Sequence, residues 1–529
     1  MIAVDIANAP DPKSSSIGTP ANRFLLGASA SVAARLLGSP PDVSERGSGE
    51  APLAKRIVRH IHSRERRASY VAAAADYLRT KRPPLERTYD VVVVGAGIHA
   101  AMFAYTLGQL APGTRVLMVE RSTDICATFG RLGDALILNS PTFAKVGLDS
   151  NLFPGHFVQL SDFDELAHGP FPTAKHLHEL ATMVMFHADA DIAFGFEVVK
   201  PWTHDDGNYV LSSSEQTVRT KSIVVANGMG VPRRLAFAAG SETRDGYQVG
   251  DDFMRRCYHD EAFTRGLAGK RVAVVGSGDT ANSVMEYLLP LVYPSAAAGL
   301  GCDVDGLPAH ILWLGQSART IKEFFFNNKL RYCHSGGLIE FLWCGDEPFD
   351  LSPVVWERAK ELVTVVPEHV RSISSRDGAI RLETATANHE ADVVIDCSGR
   401  FNSLSDALLR GRYEYVTADI GFYGGRWCDR AKCFVGLPKR HPDRRIACRL
   451  AGERVFVVGA AAPLHELVAD DEAKNGAQRY QEDRTSLTNS KWSLEHTLPR
   501  TVALAERYLE LSGIGRAAPT SPADNVSGS

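Results

Sequence analysis

The sequence predicts an α/β protein with two Rossmann-like dinucleotide-binding domains, and two observations carry the prediction. "YDVVVVGAGIHAAMFAYTLGQLAPGTRVLMVERS" at 89–122 and "KRVAVVGSGDTANSVMEYLL" at 270–289 each read as a buried strand, a glycine turn and a helix. Between the chain ends, short apolar strands alternate with helical patterns, which calls for parallel strands joined by crossover helices. The 529 residues are enough for two to four ordinary domains.

Taken in chain order, residues 1–50 are rich in Ser, Pro, Gly and Ala without periodicity and read as a flexible arm. Residues 51–87 form a helical extension with Lys55, Arg56, Arg59, Arg64, Arg66 and Arg67 clustered, ended by Pro83 and Pro84. Its weak apolar face favours a solvated or partner-packed helix over a membrane-surface or nucleic-acid contact.

In the first glycine turn, Gly95, Gly97 and Ala100 give G-x-G-x-x-A after a four-valine strand. Gly95 permits the tight turn, Gly97 leaves room for a pyrophosphate, and Ala100 lets helix and strand pack closely. Glu120 ends the following strand, where a carboxylate accepts from a ribose 2′-hydroxyl and repels a 2′-phosphate, so the ligand is FAD or NAD. The second turn repeats the grammar with Gly276, Gly278 and Ala281, and its second strand falls in 309–320. No carboxylate ends that strand. Ser317 and Arg319 follow instead, and a guanidinium there suits the 2′-phosphate of NADPH, with a plain surface arginine as the alternative. The expectation is that the first cradle holds FAD, the second holds NADPH, and hydride passes between them. The strands ending at Gly228, Gly399 and Gly459 close on small residues that let backbone approach a ligand.

Other features exclude function classes. A net charge of 58 − 62 = −4 argues against a nucleic-acid partner. No apolar run is long enough to insert stably in a membrane, and the N-terminus resembles no secretory signal, so a cytoplasmic location is expected. Nine scattered cysteines without a CxxC pair read as ordinary reduced thiols; the closest, Cys428 and Cys433, are five apart, with no histidine at metal spacing. A disulfide reductase would need a redox pair near the flavin, where "DICATFGRLG" offers Cys126 alone.

Together the two turns make the chain resemble, over about residues 88–510, the two-dinucleotide-binding flavoproteins, and within them the class B flavin-dependent monooxygenases. The resemblance implies a discontinuous FAD domain (88–265 and 390–512) interrupted by an NADPH domain (266–389), with 513–529 a disordered tail. "VVIDCSGRF" would mark the return to the first domain, where the family shows a small residue, Thr, Gly and an aromatic. "DDFMRRCYHDEAF" is similar to the flavin-containing fingerprint F-x-G-x-x-x-H-x-x-x-F through Phe253, His259 and Phe263, with Arg255 in the glycine position; His259 would then lie at the cofactor. A plain interdomain linker is the other reading of this stretch. "LNSPTFAKVGLDSNLFPG" resembles the N-hydroxylating amino-acid and amine monooxygenases. There Asn139 would sit beside the flavin ring and Lys145 would pair with a substrate carboxylate, although Val146 replaces the family's aspartate. "KEFFFNNKLRY" would supply Asn327 or Asn328 as a substrate contact, with an aromatic core strand and polar turn as the alternative.

The activity this resemblance implies is formation of a flavin C4a-hydroperoxide and N-hydroxylation of an amino acid or amine with molecular oxygen. Sulfur or ketone oxygenation of the flavin-containing or Baeyer–Villiger type is the rival, and an NADPH-linked reductase or non-catalytic binding protein a further one. A homo-oligomer is left open.

Overall fold

Each glycine turn opens from its own parallel sheet. In a computed structural model of the chain, the residues described are 64–136, 173–198, 202–238, 246–288, 308–315, 361–376, 378–428, 433–462 and 498–513. The elements that matter begin with α1 (Arg64–Thr80), β1 (Val91–Val94), α2 (Ile98–Leu110), β2 (Val116–Glu120), α3 (Ala127–Leu132) and α4 (Ala174–His187). There follow β3 (Asp191–Phe194), β4 (Ile223–Val225), β5 (Val231–Pro232), β6 (Tyr247–Val249), α5 (Gly250–His259), β7 (Arg271–Val275) and α6 (Asp279–Leu288). Then come β8 (His310–Leu314), β9 (Val363–Val366), β10 (Val393–Asp396), β11 (Arg400–Phe401), β12 (Tyr413–Cys428), β13 (Cys433–Leu450), β14 (Val455–Val458) and α7 (Leu498–Ser512).

Among the described residues, the first unit is a seven-stranded sheet in the order β12-β13-β14-β4-β1-β2-β3, and the second a five-stranded sheet in the order β6-β10-β7-β8-β9. The core of the first sheet, β14-β4-β1-β2-β3, is parallel, whereas β12 and β13 form an antiparallel hairpin at its edge. The four valines of β1 are all buried, Val91 and Val93 packing on one side of the sheet and Val92 and Val94 on the other. A strand covered on both faces has to read as a continuous apolar run, which is why it stands out in the sequence.

The structure moves the expected domain boundary. β10 lies between β6 and β7 in the second sheet, with Val272–Val275 facing Val393–Asp396 in parallel register. The stretch 393–396, expected to begin the return to the first domain, is thus a central strand of the second unit, and 247–249 is its edge. An apolar strand ending in small residues fits either sheet, so only pairing distinguishes them.

Helix α1 is packed on its own chain: Tyr70, Ala74 and Leu78 are buried in the core shared with α2 and α4. The Tyr70 hydroxyl hydrogen-bonds to Nε2 of His187 at 2.7 Å, and the Tyr70 ring meets Phe186 edge-on at 5.9 Å. Burial pushes the His187 ring down from 6.5 to about 4. An unfolded chain protonates this ring near pH 6.5 and the folded chain only near pH 4, so between those values the unfolded state binds more protons. Stability is therefore full above that window and falls as pH drops through it, by at most about 3 kcal/mol. Thermal melts at pH 7 and pH 4.5 are expected to show this loss, and a His187→Gln variant, which keeps a hydrogen-bonding side chain, to show less of it. Equal acid sensitivity in the two proteins would overturn the assignment.

Candidate functional site

The first turn is closed by packing that only glycine permits. Gly95 has φ +98°, and a Cβ there would sit 2.7 Å from Cα of Asn227 and 2.9 Å from the carbonyl oxygen of Ala226. Its N–H donates to the Val119 carbonyl at 2.8 Å, tying the turn to β2 as well as to β4. Gly97 caps α2, and nothing lies within 4 Å of where its Cβ would be, so backbone and ligand can approach there. Ala100 is fully buried. Glu120 ends β2, and its two carboxylate oxygens accept the N–H groups of Ala96 and Ser122, each at 2.9 Å. Each oxygen keeps a second lone pair, so the carboxylate is held rigid yet can still accept from a ribose hydroxyl.

These residues line a cavity of about 950 Å³ whose wall includes Gly95, Gly97, Glu120 and Gly228 and reaches Thr280 and Ser283 of α6 in the second unit. The open space over Gly97, the N-terminus of α2 and the fixed Glu120 suit the diphosphate and ribose of FAD. Cys126, in a left-handed conformation at φ +49°, also lines the cavity. Burial is the main force pushing its thiol up to about 12, opposed by a backbone hydrogen bond from Ile98 and reinforced by Glu120 and Asp124. It stays a neutral thiol.

The second turn repeats the construction. Gly276 has φ +121°, and a Cβ there would lie 2.0 Å from the Cys397 carbonyl oxygen; Gly278 again faces open space. Ala281 is buried, and the Trp313 indole donates to the Gly276 carbonyl at 2.7 Å. In both units, then, the first glycine is wedged against the end of a neighbouring strand, β4 in one and β10 in the other. β8 pairs in parallel with β7 as expected, while Ser317 and Arg319 beyond it lie outside the described residues.

The chain crosses between the units twice, and the two crossings pair. β5 and β11 form an antiparallel ribbon with Val231 opposite Phe401. Gly230, at φ +82°, makes this possible, since a Cβ there would lie 2.0 Å from the Phe401 carbonyl oxygen. The amides of Asn227 and Asn402 bond each other reciprocally at 3.0 and 2.8 Å, and Asn402 Nδ2 also donates to the Gly228 carbonyl at 2.7 Å. Arg400 donates to the Gly230 carbonyl at 3.1 Å and pairs with Asp251 of α5, the Asp251 side chain buried and the Arg400 side chain largely so. Arg131 of α3 approaches the same carboxylate at 3.9 Å. One carboxylate thus meets a guanidinium from the first unit and one from the ribbon, at the cavity wall.

Of the other residues singled out by sequence, Gly228 (φ +66°) lines the cavity, while Gly399 (φ +113°) sits in the crossing, its carbonyl accepting from Arg233 N at 2.9 Å. Gly459 makes room for the His99 ring, which comes within 2.8 Å of where its Cβ would be. His259 is not brought to the cavity. It is the exposed last residue of α5, whereas Gly250 at the other end packs on Thr280, and a helix of this length separates the ends by about 14 Å. Phe253 and Phe263 of the same fingerprint are a packed pair, 5.9 Å apart. Asn139, Lys145, Asn327 and Asn328 lie outside the described residues. Sequence reasoning missed Arg131, Asn227, Asp251 and Asn402. It did have one signal for Arg400, which stands where the resemblance calls for an aromatic residue.

Residues 89–308 match the family model described as pyridine nucleotide-disulphide oxidoreductase. A 96-residue stretch is 38% identical to the ferredoxin–NADP reductase of Limosilactobacillus fermentum (strain NBRC 3956 / LMG 18251), a match spanning 18% of this chain and 26% of that relative. Among solved structures, similarity extends to an ornithine N-hydroxylase of Kutzneria sp. 744 (18% identity, 80% of this chain and 99% of that one, TM-score 0.43). It extends also to a cadaverine monooxygenase of Erwinia amylovora (13%, 84% and 100%, 0.45) and a bacillithiol disulfide reductase of Staphylococcus aureus (10%, 80% and 99%, 0.43). The fold is α/β with two mainly parallel sheets, each opened by a Rossmann-like glycine turn, and the family model matches the part of the chain that holds both turns. No helix among the described residues is long and apolar enough to cross a membrane.

Proposed function

We propose that the chain is an FAD- and NADPH-dependent monooxygenase that N-hydroxylates a small amino acid or amine. The observation that carries this reading is the cysteine at the cavity. Cys126 is buried, and its thiol is pushed up to about 12, so it lacks the thiolate that attack on a disulfide requires. Among the described residues no second cysteine lines that cavity, so Cys126 has no redox partner there, and the reading takes molecular oxygen as the acceptor of the electrons. FAD, when bound, would supply the redox chemistry that links NADPH to oxygen.

The chain's own residues do the rest. Gly97 and the N-terminus of α2 hold the FAD diphosphate, and Glu120 accepts from the ribose. Gly278 and the N-terminus of α6 hold the diphosphate of NADPH, with Ser317 and Arg319 assigned to its 2′-phosphate. Lys145 is assigned to the substrate carboxylate. A second cation beside the substrate, the role assigned to Lys145, favours the neutral form of an amine whose ordinary pKa is about 10.4, and only that form is a nucleophile. Asn139 is assigned to the flavin ring, and Asn327 and Asn328 to the substrate. The exposed end-of-helix position of His259 speaks against the flavin-containing and Baeyer–Villiger alternatives, whose fingerprint depends on it.

Purified protein reduced by NADPH without oxygen, then exposed to oxygen with candidate amino acids or diamines, is expected to give a hydroxylamine detectable by mass. Recovery of all the electrons as hydrogen peroxide with every amine would sink the proposal. A Gly276→Ala variant is expected to keep its full FAD content, because the first unit is untouched, while flavin reduction by NADPH slows at least about tenfold, the equivalent of about 1.4 kcal/mol. An unaltered reduction rate would mean that NADPH does not use this turn.

A further inference from the structure

Two helices outside the first cradle hold its rim. The loop 121–126 leaves β2 just after Glu120, and Ser122, Thr123 and Asp124 line the cavity there. Arg79, in the last turn of α1, spans two acceptors on this loop. Its Nε donates to the Thr123 carbonyl and its Nη2 to Oδ1 of Asp124, both at 3.3 Å. Its Nη1 donates to Asp76 at 2.9 Å, one turn back in α1, which orients the guanidinium. The other oxygen of Asp124 meets Nε2 of His178 in α4 at 3.0 Å. The His178 ring is in turn wedged against Gly130 of α3, where a Cβ would lie 2.7 Å from it.

We propose that Arg79 is a positioning residue for the first cradle, clamping the loop after Glu120 so that the cavity wall is preformed and bound FAD is slow to leave. The inference rests on the reading that this cradle holds FAD. The contacts run from helix to site without a gap. Arg79 fixes Thr123 and Asp124, the Asp124 carbonyl accepts from the Ser122 hydroxyl at 2.9 Å, and the Ser122 N–H holds Oε1 of Glu120 at 2.9 Å. Backbone hydrogen bonds anchor the loop at both ends, from Gly195 N to the Ser122 carbonyl at 3.1 Å and from Cys126 N to the Ala96 carbonyl at 2.8 Å. Between those anchors the side chains of Arg79 and His178 do the holding.

The Arg79 side chain is 43% exposed, and an ion pair that open to water adds little to folding stability. What it contributes is direction. A guanidinium presents its donors in a rigid fork and takes the carbonyl and the carboxylate together, whereas an ammonium is a point charge on a flexible stem. Burial alone would raise the Asp124 carboxyl, but the hydrogen bond with His178 and the positive charge of Arg79 hold it below its usual range, so it stays an anion for Arg79 to grip. Helix α1 lies ahead of β1 in the chain and adds no strand to either sheet, so side-chain contacts of this kind are how the N-terminal extension serves the cradle.

The test follows loss of FAD from the full-length holoprotein after dilution, with free flavin separated by rapid ultrafiltration. Arg79→Met, which keeps the apolar stem, is expected to release FAD about three- to fivefold faster than the native chain, the upper end of what an exposed ion pair contributes, while the apoprotein keeps its melting temperature. Arg79→Lys is expected to fall between the two, because it restores the charge without the fork. Tyr70 bonds to His187 rather than to the loop and lies about 13 Å along the same helix, so Tyr70→Phe is expected to release FAD at the native rate with a lower melting temperature. Native-rate release from Arg79→Met overturns the inference. So does equal acceleration in Tyr70→Phe, which would trace the effect to docking of the whole helix. If the native chain takes up no FAD, the reading of the cradle fails and this inference with it.

Discussion

Replacing Gly95 with alanine is expected to give a chain that folds but loses its FAD. The residue sits at φ +98°, where a side chain costs about 1–2 kcal/mol before any contact is considered. The new Cβ would also press on Cα of Asn227 and the Ala226 carbonyl, both backbone, at the end of a strand held between β1 and β14. Relief requires the turn to move, and with it the amides that face the diphosphate. Gly97→Ala separates the two effects. Nothing lies within 4 Å of that Cβ, so the fold should keep its melting temperature while the methyl group occupies space the ligand needs. Flavin per chain, read from visible absorbance after gel filtration, is expected to fall at least about tenfold in both variants, with a lowered melting temperature only in the first. Full flavin occupancy in Gly95→Ala would show that the turn does not hold the cofactor.

The second large effect is expected at Asp251. Its carboxylate is buried between Arg400 and Arg131, and Asp251→Asn would leave the Arg400 guanidinium, itself 12% exposed, without a counter-charge. Removing one partner of such a buried pair costs about 3–5 kcal/mol. Arg131 is half exposed and 3.9 Å away, so Arg131→Met should cost under about 1 kcal/mol. Because Asp251 belongs to the second unit and Arg400 to the ribbon, the loss should also appear as slower flavin reduction by NADPH. Chemical denaturation and anaerobic stopped-flow measure the two effects. Equal stability of Asp251→Asn and Arg131→Met would mean that the Arg400 pair does not hold the junction.

How much of this was legible in the sequence follows from range. The glycine turns and Glu120 were readable because strand, turn and following acid are consecutive in the chain, and each residue type answers a local need. The junction was not, because Arg400 and Asp251 are 149 residues apart and Asn227 and Asn402 175 apart, and no spacing rule links them. His259 shows the opposite failure. Its match to a fingerprint was local and partly real, since Phe253 and Phe263 do pack together, but helix geometry carries the histidine away from the cavity. The strand 393–396 was recognised as a strand yet given to the wrong sheet, because burial pattern reveals how deeply a strand lies and not which neighbour it pairs with.

The ribbon of β5 and β11 has a consequence for how such a protein could be rebuilt. Entry and exit strands lie side by side, so the ends of the intervening segment are separated by a ladder spacing of about 5 Å. A segment with adjoining ends can be cut out and transplanted as a cassette without stretching its host. Exchanging residues 231–400 for the equivalent piece of another dinucleotide-binding protein should therefore change the preferred electron donor while the first cradle stays intact, provided the incoming ends fit against Gly230 and the Asn227–Asn402 seam, which stay in place.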